Sequence, residues 1–128
     1  MKVLCVDDDA VNRQVVKGML DVAGVETVEA ADAQACLSLI DLQSFDAVLM
    51  DMRMPGMDGL EAVRHLRARG ATTASLPIIV ATADTGLHVR KDCLAAGADE
   101  VLQKPLEMRK LFNAIGTAMA QRSGSVIS

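Results

Sequence analysis

The chain has 128 residues, 51% hydrophobic and 23% charged, with a formal net charge of −4. That composition supplies one globular core and excludes a disordered chain. It also argues against a nucleic-acid surface, which needs a basic face, and no apolar stretch approaches the ~20 residues of a membrane helix.

Short apolar runs alternate with amphipathic segments. Val3 to Val6 reads as a buried strand. Residues 10–23 follow as a helix with Val11, Val15, Val16, Met19 and Leu20 on one stripe, ended by Gly24. Val25–Val28 is the second strand. Residues 32–42 form the second helix, with apolar positions at Ala35, Leu37, Leu39 and Ile40, and Ala47–Met50 is the third strand. A loop from Met52 to Gly59 carries Pro55 and Gly56. The third helix covers residues 60–69, and its Arg64, Arg67 and Arg69 read as a solvated face. The polar run 70–75 leads into a fourth strand, Pro77–Ala81. Residues 87–96 are helical and stop at Gly97. Val101-Leu102 is a short fifth strand, and Pro105 opens a last helix with Leu106, Leu111, Phe112, Ile115 and Met119 on one stripe. The expected fold is therefore α/β, a parallel sheet covered on both faces by helices. Residues 1–121 form the domain, and residues 122–128 read as a polar tail or a cut linker.

Cys5, Cys36 and Cys93 are odd in number, lack paired spacing and sit in apolar or helical settings, so they read as core residues in a reducing compartment. Met1-Lys2 leads straight into the first strand with no secretory pattern, which makes a cytoplasmic location the expectation. His65 and His88 are isolated on helices and read as surface or satisfied residues.

The chemistry lies at the strand ends. In open parallel sheets, ligands bind beyond the carboxyl ends of the strands, where strand order reverses. Asp7, Asp8 and Asp9 follow the first strand, Asp51 the third, Thr82 the fourth and Lys104 the fifth. Glu29 at the end of the second adds little. Two carboxylates 4 Å apart repel by about 4 kcal/mol at an effective dielectric of 20. A divalent cation removes that penalty. All-oxygen ligands with no nearby His or Cys favour Mg²⁺ or Mn²⁺, and Mg²⁺ accepts phosphate oxygens. An Asp carboxylate can act as a nucleophile to form an acyl phosphate. Lys104 would then offset charge on the phosphoryl oxygens, and Thr82 would donate a hydrogen bond to one of them.

Four stretches carry a resemblance: Val3 to Asp9; Asp46 to Gly59, containing Asp51-Met52-Arg53-Met54-Pro55-Gly56; Ile78 to Ala83; and Gly97 to Pro105. Together they resemble the receiver domain of two-component response regulators and hybrid histidine kinases, over about residues 2–119. The resemblance implies a (βα)₅ doubly wound sheet in the order 2-1-3-4-5. It matches Asp51 to the phosphorylated aspartate, Asp8 to the direct Mg²⁺ ligand and Asp7 to a supporting acid. The Arg53 carbonyl becomes a further metal ligand, Thr82 the switch hydroxyl and Lys104 the phosphate-contacting lysine. The bond before Pro105 is expected to be cis. The partner implied is a histidine kinase or a histidine phosphotransfer domain, with a downstream protein target. Asp7-Asp8-Asp9-Ala10-Val11-Asn12-Arg13 resembles the opening common in receivers of hybrid kinases, so both a stand-alone regulator and a hybrid-kinase receiver fit. One position departs from the pattern: Val101 stands where many members carry Tyr or Phe. Arg53 and Asp84 are positions that tune phosphoryl lifetime in the family, and the two are expected to pair across the site entrance.

A competing reading takes Asp7-Asp8-Asp9-Ala10-Val11 as the opening of a haloacid-dehalogenase-like phosphatase, with Asp7 as nucleophile and Asp9 as general acid. That family needs a further acidic pair after its lysine, and past Lys104 only Glu107 remains.

Overall fold

The computed structural model describes residues 1–123. Five strands, β1 (Lys2–Val6), β2 (Glu26–Ala30), β3 (Ala47–Asp51), β4 (Ile78–Thr82) and β5 (Glu100–Gln103), form one sheet in the order β2-β1-β3-β4-β5. All pairings are parallel; Val3 faces Ala47 and Asp51 faces Ala81.

Side chains of a strand alternate between faces, so each apolar run feeds two cores. Leu4, Val6, Val48, Met50, Ile78 and Val80 point to one face. There they meet Cys36 of α2 (Ala33–Leu42), Val63 and Leu66 of α3 (Gly59–Arg69) and Cys93 of α5 (Val89–Ala96). Val3, Cys5, Leu49, Ile79 and Ala81 point to the other. Val16 and Leu20 of α1 (Ala10–Val22) cover them, with Leu111, Ile115 and Ala118 of α6 (Met108–Ser123). Burial on both faces is why β1, β3 and β4 read as continuous apolar runs. Aspartates set the helix starts: Asp9, Asp32 and Asp58 accept the N–H of Val11, Ala35 and Glu61. Gly24, at φ +71°, takes the left-handed turn after α1. No described helix is long and apolar enough to cross a membrane.

Several expectations need correction. The strands reach one or two residues further than their apolar runs, because ladder pairing continues through Glu29, Ala30 and Asp51. The polar run after α3 holds a one-turn helix, α4 (Ala71–Ala74). The last helix starts at Met108; the Lys104–Pro105 bond is cis, and Pro105 and Leu106 belong to the preceding loop. That helix runs to Ser123, so Arg122 belongs to it rather than to a tail; residues 124–128 lie outside the described residues. The α1 stripe divides: Val16 and Leu20 are buried, whereas Val11 is 68% and Val15 50% exposed.

Arg67 is not part of a solvated face. Its guanidinium donates to the carbonyl oxygens of Gly97, Thr73, Ala74 and Leu76 and to Asp99 Oδ2 at 3.0 Å. Asp99 also accepts from Ile78 N–H and Arg122 Nε. This cluster clamps α3, α4, β4 and α6 at the end of the sheet where β4 begins. Of the other two arginines, Arg69 pairs with Asp41 and Arg64 is exposed.

Candidate functional site

With β1 in second place in the sheet, the chain leaves it first toward β2 and then toward β3. The crevice between the carboxyl ends of β1 and β3 is the reversal point. Asp7 follows β1 and Asp51 ends β3, and both are buried. Asp8 is exposed at the rim. One carboxylate oxygen from each of Asp7, Asp8 and Asp51 lies within 4.8 Å of the others. Lys104 enters from beyond β5; its Nζ donates to Asp7 Oδ2 and Asp51 Oδ1, each at 3.1 Å. Thr82, at the end of β4, is buried beside them. A cavity of about 420 Å³ is lined by Asp7, Asp8, Asp51, Arg53, Thr82 and Lys104, so one space gathers every residue singled out from the sequence.

Electrostatics leave this group undercompensated. Burial raises the Asp51 carboxyl above its ordinary pKa and the nearby Asp7 adds to the rise, against hydrogen bonds from Lys104 and the Arg53 backbone. Burial works against the Lys104 ammonium, but its bonds to Asp51 and Asp7 outweigh that and raise its pKa. Three carboxylates around one ammonium favour an added cation, and an all-oxygen donor set suits a hard divalent one. The buried thiols take no part: desolvation pushes Cys5 and Cys36 up to about 12.

Arg53 and Asp84 do pair across the entrance, Arg53 Nε lying 3.1 Å from Asp84 Oδ2. Asp9 is spent on capping α1; its carboxylate accepts from Val11 N–H.

Two contributors were not singled out from the sequence. Arg13 Nη1 donates to the Asp7 carbonyl oxygen and its Nε to Glu29, so Glu29 helps hold the β1 end in place. Gly59 donates its N–H to the Met52 carbonyl, and a Cβ there would run into the Asp51 backbone carbonyl. Only a glycine lets α3 start this close to the acidic cluster. The glycine-rich loop was a visible signal; the close approach was not.

The family model described as "Response regulator receiver domain" matches residues 3–116, and the chain belongs to that family. The sensor protein GacS of Pseudomonas syringae is 37% identical over 116 residues, covering 89% of this chain and 13% of that protein. The response regulator MprA of Mycolicibacterium vanbaalenii is 39% identical, over 88% of this chain and 47% of that one. The chain thus spans a small part of the sensor protein and about half of the regulator. Among solved structures, the chemotaxis protein CheY4 of Vibrio cholerae has a TM-score of 0.85 at 32% identity, covering 91% of this chain and 97% of that one. The receiver domain of a Pseudomonas aeruginosa sensor histidine kinase, solved with magnesium in its active-site cleft, has a TM-score of 0.83 at 33% identity. It covers 92% of this chain and 96% of that one. The 2-1-3-4-5 receiver fold and the phosphorelay class are thereby shown, and the phosphatase reading finds no support.

Proposed function

We propose that Asp51 accepts a phosphoryl group from a phosphohistidine donor, held by a histidine kinase or a histidine phosphotransfer domain, and that the adduct switches the domain toward a downstream protein. The observation that carries this reading is the convergence of Asp51, Asp7 and Lys104 at 3.1 Å contacts in the crevice at the strand-order reversal. An Asp51 oxygen attacks phosphorus, the P–N bond to the donor imidazole breaks, and the imidazole leaves with that electron pair. Lys104 and the Thr82 hydroxyl donate to the phosphoryl oxygens. Asp7, Asp8, Asp51 and the Arg53 carbonyl would hold a Mg²⁺ ion, which when bound offsets charge on the transferring group. The module accepts a group rather than turning over a substrate. Three unpaired buried thiols suit a reducing cytoplasm.

A second feature bears on the donor. Val11, Val15 and the 71%-exposed Val22 share one outward face of α1, with open space at Gly18 between them. Val15 also lines a cavity of about 430 Å³ that reaches Asp51 and Lys104. This apolar stripe beside the acceptor suits a helix carrying the donor histidine.

Labelling with acetyl phosphate and Mg²⁺, then reductive trapping of the acyl phosphate, is expected to place the adduct on Asp51. An adduct on Asp7, or labelling that persists in EDTA, would overturn the reading. Chelation should also lower the Tm of a Mg²⁺-loaded sample, because a cation bound only by the native state stabilises it. Arg53→Ala and Asp84→Ala are each expected to change autodephosphorylation severalfold by opening the entrance to water; rates equal to the parent's would remove the gate.

A further inference from the structure

Asp84 is held from three directions, each leading from a different strand end. Its backbone N–H donates to Thr82 Oγ1 at 3.0 Å. Its carboxylate takes Arg53, two residues beyond Asp51. Its carbonyl oxygen accepts from Gln103 Nε2 at 3.0 Å. Gln103 is the register partner of Thr82 across the β4–β5 ladder and directly precedes Lys104.

Thr82 and Asp84 also line two spaces at once. One is the acidic cavity. The other, about 200 Å³, lies between Val89 and Arg90 of α5 and Val101 and Gln103 of β5. The two residues form part of a common wall, and the half-buried Val101 leaves space beside it. Among the described residues the only aromatic rings are Phe45 and Phe112, so no ring lines this second cavity.

We propose that Asp84 and Gln103 are positioning residues that carry the state of Asp51 to β5 and α5 through hydrogen bonds rather than through an aromatic side chain. The inference rests on Asp51 being the phosphoacceptor. A phosphoryl group adds negative charge beside Thr82 and Arg53. Rotation of the Thr82 side chain about χ1, which carries its hydroxyl to the new oxygens, moves Oγ1 away from the Asp84 N–H that it accepts. Arg53 is drawn from the Asp84 carboxylate by the same charge. Two of the three holds on Asp84 are weakened together, while Gln103 keeps the third. Movement of residues 83–88 is then transmitted to β5 through the Gln103 amide and reaches the second cavity. Such coupling requires a contact that differs between the two states, and the Asp84 bonds supply it.

The test is amide chemical-shift mapping of the whole domain with Mg²⁺, with and without beryllofluoride as a phosphoryl mimic. The parent should show shifts at Thr82 and also at Arg90 and Val101. Gln103 is exposed, so Gln103→Leu and Gln103→Asn leave the core untouched. Both variants should keep the Thr82 shift and lose most of the shift at Arg90 and Val101. Retention of those outer shifts in both variants, or their absence in the parent, would overturn the relay. Failure of beryllofluoride to perturb even Thr82 in the parent would instead overturn the phosphoacceptor reading.

Discussion

Asp51→Asn is expected to lower phosphoryl acceptance by ~10⁴-fold or more, the scale on which losing a nucleophile acts. The amide is nearly isosteric, so the fold and the Lys104 contact with Asp7 survive. What is lost is the nucleophilic oxygen and one of three carboxylates in the cation site. The same substitution should raise the Tm of the metal-free protein at neutral pH. Asp51 has a pKa above its ordinary value in the fold, chiefly from burial and then from Asp7. A carboxyl with a raised folded pKa contributes stability that is present at low pH and lost as pH rises through that pKa. Asparagine carries no charge at any of these pH values and escapes the loss. Phosphotransfer with a labelled donor checks the first effect, and thermal melts in EDTA from pH 4 to 8 check the second. Acceptance at the parent rate would show that another group is the acceptor.

Arg67→Ala is expected to destabilise the domain by about 3–5 kcal/mol, the range for removing one member of a buried, hydrogen-bonded charge pair. Arg67 fills the space between α3 and the α5–β5 turn, where a Cβ on Gly97 would meet its Cγ at 2.7 Å. Its loss strips a donor from four carbonyl oxygens and leaves Asp99 with Arg122 and the Ile78 N–H. Burial, followed by the nearby Arg122, lowers the Arg67 pKa, while Asp99 opposes both. Lysine cannot reproduce the fork, so Arg67→Lys should fall between parent and alanine variant. Urea unfolding reads the change as a lower midpoint with an unchanged slope. A loss below ~1 kcal/mol, typical of an exposed pair, would return Arg67 to a solvated face.

These two residues also mark the boundary of what could be read without coordinates. Asp51 was legible because it ends an apolar run and stands before a Pro-Gly loop; strand, turn and cap signals act over a few neighbouring residues. The same local signals placed Asp7, Thr82 and Lys104 at strand ends, and Asp9 before a helix. Arg67 was not legible. It sits in a basic run at helical spacing, and its acceptors come from α4, the loop before β4, and residues 97 and 99. Nothing local distinguishes it from Arg64, which is exposed. Val11 and Val15 failed in the opposite sense: their periodicity promised burial, but the sheet accepts only the Val16–Leu20 side of α1.

The sequence by itself determined the alternation of strands and helices, the parallel sheet and the set of polar residues at its carboxyl end. Only the tertiary structure decided which of those residues meet. Lys104 reaches Asp7 across 97 positions and Asp51 across 53. Those contacts exist because parallel registers β1–β3, β3–β4 and β4–β5 align the strand ends. The Gly59 approach and the Asp84 connections depend on the same alignment. Side-chain period and capping are written within a few residues, whereas register is fixed by packing both sheet faces at once.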